Sequence, residues 1–191
     1  MIRYRFHFLI LVVAAFVFWL AKESDFAYYE LMGALHATAV VVSLRNRKAH
    51  HAMLALCFIV LAAAWSAATP VIAYRSLALW SLFPQAPNGG GLAYILMWVA
   101  GSAVGSAGYW LLVRLFWLRS LGRADCLRTV ALCVAATLLS FPVAMLDQSG
   151  KDHYATVLFT VAWWLAFSLS LYWSEVSGQA KKSTPAIATV S

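Results

Sequence analysis

The sequence predicts an all-α membrane protein, a bundle of six transmembrane helices with both the N-terminus and the C-terminus in the cytoplasm. Three observations lead there. First, 63% of the 191 residues are hydrophobic and only 11% are charged, whereas a soluble domain averages about 25% charged. Water cannot cover so much apolar surface, so most of it must meet lipid. Second, six apolar runs, at about 5–21, 28–44, 52–74, 92–113, 126–146 and 154–174, are each long enough to span the hydrocarbon, which takes ~17–25 helical residues. Third, basic residues gather at alternate breaks between the runs, and such bias in short loops orients membrane helices.

With the N-terminus inside, the inner side holds Arg3, Arg5, Arg45, Arg47, Lys48, Arg114, Arg119, Arg123, Arg128, Lys181 and Lys182, eleven of the fourteen basic residues. The outer side holds Lys22, Arg75 and Lys151, together with the acids Glu23, Asp25, Glu30, Asp147 and Asp152. Helices rather than a closed barrel are expected because a barrel would show alternating strands of about ten residues. The net charge of +7 sits at the ends of apolar runs, not on one polar face, so no nucleic-acid partner is expected.

The first run follows Arg3 and Arg5 as a signal sequence would. It lacks a small-x-small cleavage site, so an uncleaved first helix is expected. AKESDFA (21–27) separates it from the second run, which opens with YYELMGALH (28–36). There Glu30 and His36 form a candidate polar intramembrane site, since an ionisable group at membrane depth is costly to keep. Six residues at 100° each place them about 120° apart around the helix and about 9 Å apart along it. Glu30 is then a shallow, outward-facing carboxylate and His36 a deep imidazole pointing elsewhere, expected to bond a serine or threonine of another helix.

RNRKAHH (45–51) leads to the third run, which contains SAATP (66–70). The fifth run contains SFP (140–142). Pro70 and Pro142 each free a backbone carbonyl and bend a helix. An outward vestibule between these two runs, lined by Thr69, Thr137 and Ser140, is one reading of the pair. Between runs three and four lies the longest loop, 75–91. In it Leu77, Trp80 and Phe83 recur every three residues, suiting an interfacial turn of helix before Pro84, Pro87 and glycines 89–91 break it. Trp80 and Phe83 are the candidate outer-loop contacts.

The fourth run carries GSAVGSAG (101–108). Gly101, Gly105 and Gly108 are candidate helix-packing residues, because small side chains let backbones approach closely. The facing helix could belong to this chain or to a second copy. Arg114, near the inner end, can snorkel to headgroups. The sixth run places Trp163 and Trp164 near its centre, with Thr160 on much the same face, suiting packing or a ligand pocket. Residues 1–177 thus form one transmembrane domain, and the small, polar stretch 178–191 is expected to be a disordered cytoplasmic tail.

Chemistry-bearing motifs are sparse. Cys57, Cys126 and Cys133 have no ligand spacing and suit free, buried thiols. There is no paired His/Glu metal motif, no G-x-S-x-G and no clustered aspartates. No catalytic, metal or cofactor-binding residue is expected, and the chain is not read as an enzyme. The composition suits a multi-pass protein of a bacterial inner membrane, surrounded by lipid. The expected function is protein–protein contact in the bilayer, as an accessory subunit or as an immunity protein against a membrane-active toxin. Its partner would be another membrane protein or a second copy. The alternative is a small transporter or channel for a weakly polar, hydrophobic or proton-coupled cargo.

Overall fold

A computed structural model of the chain describes residues 12, 25–48, 52–80, 89–119, 121–146 and 152–183. The described residues are all-helical, with five long helices: α1 (Asp25–Lys48), α2 (Ala52–Trp80), α3 (Gly89–Phe116), α4 (Arg123–Leu146) and α5 (Asp152–Ser183). Apart from Val12, the run at 5–21 lies outside the described residues, as do Phe83 and the side chain of Trp80.

The helices extend beyond the apolar runs that predict them. α2 continues through Arg75 to Trp80, so the expected interfacial turn is its last part, not a separate piece. α3 begins at Gly89, so glycines 89–91 form its first turn where a break was expected. Those residues lie before the helix interior, where a missing side chain costs most. α5 runs to Ser183, through residues assigned to the tail. Its final stretch is EVSGQAKKS.

Among the described residues, two stretches are long and apolar enough to cross a membrane, Ala52–Ala73 and Ile95–Phe116, each of 22 residues, or about 33 Å at the helical rise. Tyr29–Val42 in α1 and Leu158–Ser174 in α5 are shorter apolar stretches. Helices adjacent in sequence pack as neighbours, α1 on α2, α2 on α3, α3 on α4 and α4 on α5. α3 also reaches α1 and α5 through Tyr109, which puts this helix at the centre.

The distribution of side chains follows from that centrality. Tyr109, Met97 and Val113 of α3 are fully buried beside Met32, Phe58 and Phe167. Polar side chains are buried with them, including His36, Ser106, Thr129, Thr137 and Ser170. Large apolar side chains instead face outward, with Met53 74%, Leu127 71% and Leu139 77% exposed. Most buried hydroxyls bond the carbonyl one turn back on their own helix, as Ser66 does to Ala62, Thr137 to Cys133 and Ser140 to Ala136. Such bonds let a serine or threonine sit in an apolar interior without a stranded donor.

The turn from α3 to α4 is tied by Asp125. Its Oδ2 accepts the Gly122 N–H at 2.9 Å, the reach-back half of a capping box. Its Oδ1 accepts the Ser174 hydroxyl of α5 at 2.9 Å and lies 3.5 Å from Arg128. One carboxylate thus caps α4 and holds it against α5.

Candidate functional site

The site is built around a pocket of about 50 Å³, bounded chiefly by α2, α3 and α5. That is well above the ~10–15 Å³ needed for a single water. α2 contributes Trp65, Ser66, Thr69 and Pro70, and α5 contributes Phe159, Thr160, Trp163 and Trp164. α3 supplies the glycine floor at Gly101 and Gly105, with Trp98, Ser102 and Tyr109 around it, and Tyr29 of α1 closes one side.

Glycine makes this geometry possible. A Cβ on Gly101 would lie 2.8 Å from the Ala73 Cβ, and one on Gly105 would lie 2.7 Å from Thr69 Cγ2. A Cβ on Gly108 would run into the Trp65 ring. All three glycines therefore face α2 of the same chain. The close approach lets the Trp65 Nε1–H donate to the Gly105 carbonyl at 2.9 Å. A matching contact joins α1 to α2, where a Cβ on Gly33 would meet the Ser66 side chain.

His36 lies behind the Tyr109 wall of the pocket and is fully buried. Its Nδ1 is 2.9 Å from the Tyr109 hydroxyl on α3, and its Nε2 is 2.9 Å from the Ser168 hydroxyl on α5. The ring stacks on Trp164 at 4.5 Å between centroids and meets Tyr109 and Phe167 edge-on. A neutral imidazole has one donor and one acceptor nitrogen. Two tautomers therefore satisfy the site: Tyr109 donates and Ser168 accepts, or the reverse. In the second, the Tyr109 O–H is released from His36. The imidazole is a three-helix junction, placed one side chain away from the pocket.

Of the residues expected to form a site, the structure brings His36 next to the pocket and leaves Glu30 exposed. Thr69 lines the pocket, but Thr137 and Ser140 do not. They are buried on α4, with hydroxyls bonded to their own helix. In place of the vestibule between the two proline-bearing helices there is a pocket lined by Pro70 together with residues of α3 and α5, because α2 packs chiefly on α1 and α3. The tryptophan pair at the centre of α5 is in the wall, and Trp163 donates its Nε1–H to Ser102 at 3.0 Å. Trp65, Trp98, Tyr109 and Phe159 were not singled out by the sequence. The available signal was aromatic residues at mid-run positions, away from the interfaces where they usually gather.

The cysteines are free, with Cys57 exposed and Cys133 buried. Among the described residues no group of three histidine, cysteine or acidic side chains is placed to hold a metal. The chain matches no family model, no curated protein and no solved structure.

Proposed function

We propose that this chain is a six-span protein of a bacterial cytoplasmic membrane, with both termini inside, and that it binds a small, weakly polar or apolar solute as a carrier. The membrane reading is supported by two helices of spanning length and by the outward-facing leucines and valines over an interior that holds serine, threonine and histidine. Lipid tolerates the former, and the latter need protein partners.

The observation that supports solute binding is the pocket lining. It has seven aromatic rings and several hydroxyls, and no charged side chain. Ligand sites are typically concave and mostly apolar, with a few polar groups to orient the occupant. Contact with a protein partner was expected to use the Gly101–Gly105 face and the outer loop at Trp80 and Phe83, and α2 occupies the first of these. The solute reading is therefore preferred over the accessory-subunit reading.

Reconstitution into lipid nanodiscs tests this. Small neutral and cationic solutes should change tryptophan fluorescence saturably, and Phe159→Ala or Trp98→Leu should weaken the saturable part at least tenfold. A response that is linear in concentration and identical in the variants would be partition into lipid and would end the proposal.

A further inference from the structure

We infer that the pocket selects a monovalent alkylammonium, a soft cation whose substituted nitrogen needs no hydrogen-bond acceptors; this rests on the pocket being a ligand site.

The inference follows from how the donors of the wall are used. The Trp65 Nε1–H is engaged with the Gly105 carbonyl, and the Trp163 Nε1–H with Ser102 Oγ. The Ser66 hydroxyl donates to the Ala62 carbonyl at 2.8 Å, and the Thr69 hydroxyl to the Trp65 carbonyl at 2.9 Å. Four polar groups that could have donated to an occupant thus present oxygen lone pairs or π-electron density instead. An anion entering here would give up its hydration and find these four donors taken, with the Tyr109 O–H released in only one tautomer of His36, a penalty of the kind that excludes unpaired charge from interiors. A cation meets the opposite situation, because aromatic rings attract it electrostatically, and more strongly where water is excluded.

The absence of a carboxylate from the lining sets the kind of cation. A compact, strongly hydrated ion or a primary ammonium needs several oxygens or a counter-charge to replace its water. An alkylated ammonium is weakly hydrated and offers methyl groups, which suit the aromatic faces of the lining. Entry is favoured as well. In the proposed topology the outer side carries five acids, including Glu30 one residue from the pocket-lining Tyr29, against three basic residues, and a surplus of acid raises the local concentration of cations.

The test compares two probes of the same shape on nanodisc-reconstituted protein by tryptophan fluorescence: choline and its neutral carbon analogue 3,3-dimethyl-1-butanol. Choline should bind at least tenfold tighter, and Trp98→Leu should weaken choline more than it weakens the alcohol, narrowing that preference. Equal or tighter binding of the alcohol would overturn the cation inference and leave the ligand-site reading standing. Saturable binding of neither probe would overturn both. Tighter binding of 3,3-dimethylbutanoate than of choline would show that a donor set other than the one described faces the occupant.

Discussion

The imidazole of His36 lies nearly parallel to the indole of Trp164, with ring planes 28° apart, while both of its nitrogens meet hydroxyls on other helices. Ring stacking and hydrogen bonding act in perpendicular directions, so α1 is fixed against α5 by one and against both α3 and α5 by the other. The two contributions can be separated by substitution. His36→Phe retains the stack and strands Tyr109 and Ser168, which should cost about 1–3 kcal/mol. His36→Ala removes both and leaves a cavity, and should cost about 2–5 kcal/mol. Thermal unfolding in detergent, read by circular dichroism, should rank wild type above His36→Phe and His36→Phe above His36→Ala. Equal stability of the two variants would show that the stack contributes nothing.

The glycine face of α3 gives a steric prediction. Gly105→Leu and Gly108→Leu would drive a side chain into Thr69 and Trp65 respectively, at a cost of about 1–3 kcal/mol each. The loss should appear in the unfolding of the monomer, since α2 belongs to the same chain. Gly122→Ala is the control, because its Cβ would meet only Asp125 Oδ2, at an ordinary 3.7 Å. Comparing melting temperatures at two protein concentrations checks this, and a concentration-dependent loss for Gly105→Leu would instead place the face between copies.

Asp125 serves three partners at the α3–α4 turn. Asp125→Ala should destabilise the protein by about 1–3 kcal/mol through the lost cap and the lost tie to Ser174. Asp125→Asn, which keeps an acceptor oxygen, should cost less. Hydrogen exchange at residues 123–126 is the direct readout, and unchanged protection there would contradict the capping role.

Thr129 Oγ1 and Ser170 Oγ are 2.6 Å apart in the buried α4–α5 seam. A double-mutant cycle with Thr129→Val and Ser170→Ala should give a coupling of about 0.6 kcal/mol, the average for hydroxyl and amide pairs between membrane helices. A coupling near zero would mean that Thr129 is satisfied by its own backbone bond to Asp125 alone.

The helical character of the chain was legible because run length and breakers are local properties. His36 was legible as the deep polar group because an imidazole stands out in apolar sequence. Its partner Tyr109 was not, since the two are 73 positions apart and a tyrosine among aromatic residues carries no distinguishing mark. The small-residue stripe of α3 could likewise be seen, but the helix it faces could not. That choice is made by the complementary bulk of Trp65 and Thr69, which only packing brings opposite the glycines. The pocket was misplaced for the same reason. Two prolines suggested two facing helices, whereas the contacts that decide adjacency put α2 beside α3.

The three-helix junction at His36 also sets an order of assembly. α2 and α3 can dock as soon as both have been synthesised, because their glycine contacts need nothing else. α1, although made before them, cannot satisfy its imidazole until Ser168 arrives on α5. A nascent chain stalled before residue 152 would therefore hold a finished hairpin and an imidazole with only one of its two hydroxyl partners, Tyr109. Completion of the last helix supplies the second partner and closes the junction.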